Sequence, residues 1–211
     1  MELPEEYKKN YKYFLGSKID LSLRPLIPRQ ETEYWVSLIL KEIKEGSRCL
    51  DLFAGSGCIG VSILKNVKNT FCDFGEIDKN LLKQIEINLK GIESDRYKII
   101  ETDIFSNIPG KYDFILTNPP YVAINRTDEV SADVLEYEPH LALFSGDKGM
   151  DAIVKLIEDA HEHLNENGLL VIEHDESQKD DIEKLINRGG YSRYEFCKDY
   201  FNEYRFVKIY G

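Results

Sequence analysis

Four cysteines (Cys49, Cys58, Cys72, Cys197) are scattered over 211 residues with no C-x-x-C pair. Zinc sites and disulfide frameworks need closer pairing, so these read as reduced, mostly buried small hydrophobes of a cytosolic protein. Basic residues are also in deficit, 27 Lys and Arg against 38 Asp and Glu, for a net charge of -11. Nucleic-acid binders usually present a basic face, because phosphate neutralisation supplies much of their affinity. The balance therefore argues against a nucleic-acid partner while leaving room for a local basic patch. No apolar run approaches the ~20 residues of a membrane span. The polar start, Met1 to Asn10, is not a signal peptide. His161 and His163 are two apart and do not share a helix face, so no metal site is expected. Internal repeats and low-complexity stretches are absent. Together these absences point to a cytoplasmic protein without membrane association; they leave the oligomeric state open, a monomer being the favoured expectation.

The hydrophobic and charged contents, 42% and 31%, fit a globular chain. Domains run to roughly 100–200 residues, so one domain is the first expectation. Short apolar runs alternate with helical periodicity. Residues 48–53, 70–75, 97–101, 112–117 and 168–173 read as strands. Residues 59–65, 79–90, 150–164 and 177–187 read as helices, with Ser177 a candidate N-cap. Two further strands, 191–197 and 203–209, share a short turn and should pair antiparallel. Residues 1–31 read as a preface: a charged helix-like start, a turn at Gly16-Ser17 and a Pro-bounded stretch. Repeated strand–helix–strand units imply a mostly parallel sheet with helices on both faces. Ligands bind such sheets at the carboxyl ends of the strands, near the topological switch point.

Asp51-Leu-Phe-Ala-Gly-Ser-Gly-Cys-Ile-Gly60 follows the first buried strand and opens a helix. Glycines there permit close ligand approach, and the N–H groups of a helix start favour an anion. Such a loop can serve a dinucleotide or be a tight turn. Glu76 ends the next strand, where a carboxylate can accept from both ribose hydroxyls; the alternative is a solvated acid, with Asp78 the better helix cap. Asp103 follows the third strand and could accept from an adenine amino group with Ile104 packed on the ring, or it is an ordinary turn aspartate. Three such loops in order say more than any one of them.

Asn118-Pro119-Pro120-Tyr121 follows the fourth strand. Two prolines fix φ and remove two N–H donors, which holds the Pro119 carbonyl at a set angle. The Asn118 carboxamide oxygen is a second acceptor. Two convergent acceptors suit an –NH2 group, and Tyr121 offers an aromatic face to a flat substrate. An amide or exocyclic amino nitrogen is a weak nucleophile, because its lone pair is delocalised. Hydrogen bonds to both N–H groups orient it, and positioning then carries much of the rate.

From about Tyr13 to the C-terminus the chain resembles the class I methyltransferases, and within them the release-factor glutamine methyltransferases of the HemK/PrmC family. The markers are Leu26-Ile-Pro-Arg-Gln-Glu-Thr-Glu33, Asp51 to Gly60, Glu76, Asp103-Ile-Phe105, Asn118-Pro-Pro-Tyr-Val122, Tyr137-Glu-Pro-His-Leu-Ala-Leu143 with Gly149, and Ile172-Glu-His174 with Gln178. The resemblance implies a Rossmann-like α/β fold: a seven-stranded, mostly parallel sheet with the last strand antiparallel and helices on both faces. It implies a short N-terminal extension or hairpin, 1–31, ahead of an S-adenosylmethionine-dependent methyltransferase domain, 32–211. It implies methyl transfer to the side-chain amide of a protein glutamine, that of the Gly-Gly-Gln loop of peptide-chain release factors. The expected cofactor residues are Asp51, Phe53, Ala54, Gly55, Ser56, Gly57, Glu76, Ile77, Asp103, Ile104 and Asn118; the expected catalytic residues are Asn118, Pro119, Pro120 and Tyr121.

Three departures stand out. Family members usually carry an N-terminal helical domain that grips the release factor, and only about a dozen residues precede the matching region here. Gln30 replaces the usual proline after Ile-Pro-Arg, and Glu76 replaces the usual aspartate. The rival readings are methylation of an exocyclic amino group in nucleic acid (adenine N6 or guanine N2) and a non-catalytic cofactor-binding module.

Overall fold

The apolar runs assemble into a seven-stranded sheet with a separate hairpin at its flank, in a computed structural model that describes residues 2–211. Helix α1 (Glu5–Lys9) leads into β1 (Tyr11–Phe14) and β2 (Ser17–Asp20), which pair antiparallel with Phe14 opposite Ser17. The turn residues are Leu15 and Gly16, with φ of 46° and 76°, one position before the expected Gly16-Ser17. Two positive φ values match the twist of a tight hairpin. Leucine rarely adopts this conformation, and a hydrogen bond of 2.6 Å from its N–H to Glu33 holds it there.

Glu33 belongs to α2 (Gln30–Ile39), a helix the pattern reading did not place. Its buried residues Thr32, Trp35, Val36 and Ile39 follow the i, i+3, i+4, i+7 rhythm. The stretch was obscured because it begins on the Pro-bounded Leu26–Glu33 segment.

The remaining elements are β3 (Arg48–Leu52), α3 (Cys58–Asn66), β4 (Phe71–Glu76), α4 (Lys79–Asn88), β5 (Ile99–Glu101), β6 (Tyr112–Thr117), α5 (Ala132–Tyr137), α6 (Asp151–His163), β7 (Leu164–Glu173), α7 (Lys179–Arg188), β8 (Arg193–Lys198) and β9 (Tyr204–Tyr210). Sheet order is β5-β4-β3-β6-β7-β9-β8. The first five are mutually parallel, and the final strand β9 runs antiparallel between β7 and β8. The expected Rossmann-like sheet is thus present. Ser177 is not the cap of the last helical segment. Asp175 caps the 3-10 turn Glu176–Gln178 that leads into α7, accepting from the Ser177 N–H at 3.0 Å, while Gln178 Oε1 accepts from the Asp175 N–H; Gln178 is the residue from which α7 itself starts.

Successive strand residues feed two cores. Cys49, Leu116, Leu169 and Val171 face the side that holds Trp35, α3 and Ile85. Leu50, Leu52, Ile115, Leu170 and Ile172 face the side that holds α6 and α7. This period of two explains why the strands read as unbroken apolar runs: both faces are covered. At the α3–β4 contact, a Cβ on Gly60 would lie 2.3 Å from the Phe74 ring, so only glycine lets that helix sit so close. Among the described residues, no helix is long and apolar enough to cross a membrane.

Candidate active site

Strand order reverses between β3 and β6, and the loops leaving β3, β4, β5 and β6 meet there at the carboxyl ends of the strands. They line a cleft of about 260 Å3. Phe53, Ala54, Gly55, Ser56, Glu76, Ile77, Asp103, Ile104 and Asn118 all reach it, together with Pro120, as do Leu26, Arg29 and Thr32 from the N-terminal segment. A second chamber of about 240 Å3 lies beyond Asn118, lined by Tyr121, Val122, Val130, Val134 and Leu143. Leu26, Arg29, Asn118 and Ala142 border both. Asp51, Gly57 and Pro119, also expected at the site, line neither chamber.

Glu76 is buried, yet it accepts three backbone hydrogen bonds: from Gly55 at 2.8 Å, Ile77 at 2.8 Å and Asp78 at 2.9 Å. Burial raises its carboxyl above the ordinary range, and these donors oppose the rise. The carboxylate therefore clasps the glycine loop to the loop after β4 and keeps lone pairs for a ligand. Asp78 caps α4 through the Asn80 N–H at 2.8 Å. Asp51 lies beneath the cleft, wholly buried, and accepts from the Gly60 N–H at 2.9 Å. Burial holds its carboxyl well above the usual range. Phe53 and Ile104, on opposite loops of the cleft, have φ of 60° and 52°. Left-handed backbone is costly for such side chains, and it concentrates where a site must be shaped.

The far side of the cleft is built from long-range links. Arg29 pairs with the buried Glu138 at 2.7 Å, and Glu138 also accepts from the Ile27 N–H at 2.9 Å. This joins the Ile-Pro-Arg and Glu-Pro stretches into one wall. Glu173, at the end of β7 and 1% exposed, accepts from Thr32 Oγ1 at 2.6 Å and Trp35 Nε1 at 2.7 Å. Its other oxygen accepts from the Tyr121 hydroxyl at 3.3 Å. Thr32 Oγ1 in turn accepts from Asn118 Nδ2 at 3.1 Å. Burial raises the Glu173 carboxyl, against the Thr32 and Trp35 bonds and the nearby Arg205. Burial together with Glu173 pushes the Tyr121 phenol up, so it stays a donor.

Gln178 donates to the Tyr121 carbonyl at 2.9 Å and to the Gly149 carbonyl at 3.0 Å. Gly149 has φ of 68°, and a Cβ there would lie 2.0 Å from the Tyr121 oxygen. The two residues thus buttress the end of the Asn-Pro-Pro-Tyr loop. Pattern reading gave no role to Thr32, Trp35, Glu173 or Gln178. A buried acid ending an apolar strand was the available signal. Among the described residues, no group of three or more His, Cys, Asp or Glu could hold a metal.

A reversing parallel sheet of this order, with its cleft on the carboxyl edge, defines the class I methyltransferase fold. Solved structures agree: the catalytic domain of hMettl16, crystallised with an RNA hairpin, superposes with a TM-score of 0.73 at 15% identity, covering 93% of this chain and 76% of that one. The methyltransferase small domain model matches residues 30–146. The release factor glutamine methyltransferase of Leptospira interrogans is 35% identical over 211 residues, 97% of this chain and 73% of that protein. The ribosomal protein uL3 glutamine methyltransferase of Xanthomonas campestris is 32% identical over 198 residues, 92% of this chain and 64% of that protein. The chain belongs to the release factor glutamine methyltransferase family. It spans between 63% and 74% of the length of several curated relatives it matches.

Proposed function

We propose that this protein transfers a methyl group from S-adenosylmethionine to the side-chain amide nitrogen of a protein glutamine, with the Gly-Gly-Gln glutamine of a peptide-chain release factor as substrate. The observation that carries this reading is the junction at Asn118, which borders both chambers. One chamber suits the cofactor, the other a side chain.

The cofactor chamber fits its proposed occupant. Glu76 presents a buried carboxylate to a pair of ribose hydroxyls. Phe53 to Ser56 and Ile77 supply the glycine-loop floor and an apolar wall, and Asp103 with Ile104 suits an adenine edge and face. Asp51 acts from below, holding the start of α3 through the Gly60 N–H, and Gly57, in left-handed backbone, is the residue from which that helix starts. The bound cofactor supplies a methyl group already activated on a sulfonium. What remains for the protein is to hold the acceptor nitrogen in line and to exclude water.

The Asn118 oxygen and the carbonyl of Pro119, which itself lines neither chamber but links Asn118 to Pro120 at the cleft, accept from the two amide N–H groups of the glutamine. Tyr121, steadied by Glu173 and Gln178, gives the amide plane a face to lie on. The nitrogen would gain the methyl group as the carbon–sulfur bond breaks, the sulfur keeping that electron pair in S-adenosylhomocysteine, and would release one proton to water, so no histidine or cysteine base is needed. Residues 1–31 act as an extension of the transferase domain 32–211 that completes its site, because Arg29 borders both chambers. The place of action is the cytoplasm, on a protein partner, with the protein as a monomer.

The test is incubation with S-adenosylmethionine and a purified release factor, in parallel with ribosomal protein uL3 and with RNA, followed by peptide and nucleoside mass analysis. A 14 Da increment (one methylene equivalent) on the Gly-Gly-Gln glutamine is expected. The increment on a uL3 glutamine reassigns the partner and keeps the chemistry. An increment on RNA alone overturns the reading.

A further inference from the structure

The reading above, on which this inference rests, needs Asn118 to show its oxygen to the substrate. A carboxamide has an acceptor end and a donor end of nearly equal size, and the loop alone does not choose between them. The choice is made further back. Trp35 Nε1 can only donate, and it reaches Glu173 Oε2 at 2.7 Å. Thr32 Oγ1 lies 2.6 Å from the same oxygen. Thr32 has one hydroxyl proton, and the carboxylate takes it. Its oxygen then has only lone pairs for Asn118, 3.1 Å away. Only the –NH2 end of the carboxamide can complete that contact. The oxygen is left facing outward.

We propose that Glu173 and Thr32 are positioning residues that fix the direction of the Asn118 carboxamide, and that they thereby make the substrate chamber select an uncharged amide over the corresponding carboxylate. With the relay set, the groups offered to the acceptor side chain are oxygens. A glutamine donates to them. A glutamate side chain would set its own oxygens against them, and acceptor facing acceptor is penalised as an unmade bond in a dry site. The relay spans α2, the loop after β6 and the end of β7. Its members are held rigidly: Thr32 is 2% exposed, Trp35 0% and Glu173 1%.

The prediction is read in Thr32→Val and Thr32→Ser. Valine keeps the volume and removes the hydroxyl, so the carboxamide is free to turn. Turnover should fall about 10–100-fold, with cofactor affinity and protein-substrate KM changed by less than about threefold. Serine keeps the hydroxyl and should recover most of the turnover. Binding of two synthetic peptides, one ending its loop in Gly-Gly-Gln and one in Gly-Gly-Glu, should show a preference for the amide in the wild type that shrinks in Thr32→Val. A direct readout needs no substrate: in the wild type, the Asn118 Nδ2 protons should show nuclear Overhauser contacts to the Thr32 side chain and slow exchange with water. That measurement stands if the valine variant does not fold. Absent contacts in the wild type overturn the relay, as does a valine variant with wild-type turnover or a serine variant as impaired as valine. A wild type that shows the contacts but methylates no glutamine leaves the relay standing and overturns the substrate reading instead.

Discussion

The two halves of the cleft are built in different ways. The half proposed to hold the cofactor is local and made of backbone: the Gly55, Ile77 and Asp78 N–H groups gather on Glu76 within 21 residues of chain. The substrate half is non-local and made of side chains. Arg29 reaches Glu138 across 109 residues, Thr32 reaches Glu173 across 141, and Asn118 reaches Thr32 across 86. A cofactor shared by many enzymes can be held by a portable strand–loop–helix unit. A particular acceptor has to be framed by the whole fold, so damage to the second half should spare the first.

The largest effect expected from breaking the comparison is at Asn118. Asn118→Ala removes the acceptor that we propose faces the reacting nitrogen and should lower turnover by about 10²–10³-fold, the size seen when one preorganised hydrogen-bonding group is lost. Calorimetric cofactor affinity should stay within about threefold; a matching loss of affinity would merge the two halves. Gly149→Ala comes next. Its Cβ would sit 2.0 Å from the Tyr121 carbonyl in left-handed backbone, so the loop must shift. Misplacement of about 1 Å can cost 10²-fold in rate, and the strain should lower stability by about 1–3 kcal/mol. Turnover and melting temperature check both, again with cofactor binding spared.

The converse is Glu76→Ala. It removes a carboxylate that suits the ribose and releases three N–H groups. At roughly 1.5–3 kcal/mol per charge-assisted hydrogen bond, cofactor should bind about 10–150-fold more weakly. The acceptor side should be unaffected once cofactor is saturating, which a turnover measurement at high cofactor concentration reads. Unchanged calorimetric affinity would remove Glu76 from the cofactor half.

The smallest effect concerns pH. His174 is wholly buried beside Glu173, and burial pushes its imidazole down to about 4. Between that value and the ordinary 6.5 of the unfolded chain, the unfolded state holds the extra proton, so stability falls as pH drops from 6.5 toward 4. One proton gives at most about 1.4 kcal/mol per pH unit. The raised carboxyls of Asp51, Glu76 and Glu173 act in the opposite sense, losing stability as pH rises through their range, so the histidine contribution is read as a difference from its own variant. Denaturant titrations of wild type and His174→Gln across this window should differ, the variant losing less stability in acid; parallel curves contradict the assignment.

Legibility in the sequence follows the same division. Strand–helix alternation, the glycine loop, Glu76, Asp103 and Asn118 to Tyr121 could be read locally, because each sits where an apolar strand ends and a loop begins. The mostly parallel sheet followed from that alternation and the final antiparallel pair from its short turn, whereas the strand order appears only in the fold. Helix α2 escaped because its apolar rhythm starts inside a Pro-bounded stretch. The relay through Thr32 and Glu173 escaped because nothing local to either residue indicates that the fold brings them within 2.6 Å of each other. Asp51 shows the converse limit. Its position in the motif suggested a ligand contact, whereas its side chain supports the loop from beneath.

The central claim is that the framed nitrogen is a glutamine amide, and one measurement reaches it directly. Isotope-labelled methyl transfer is followed from S-adenosylmethionine to two release factors that differ only in Gly-Gly-Gln against Gly-Gly-Glu. Label in the glutamine protein and none in the glutamate protein is expected. Equal label in both, or label in neither while added RNA is methylated, contradicts it.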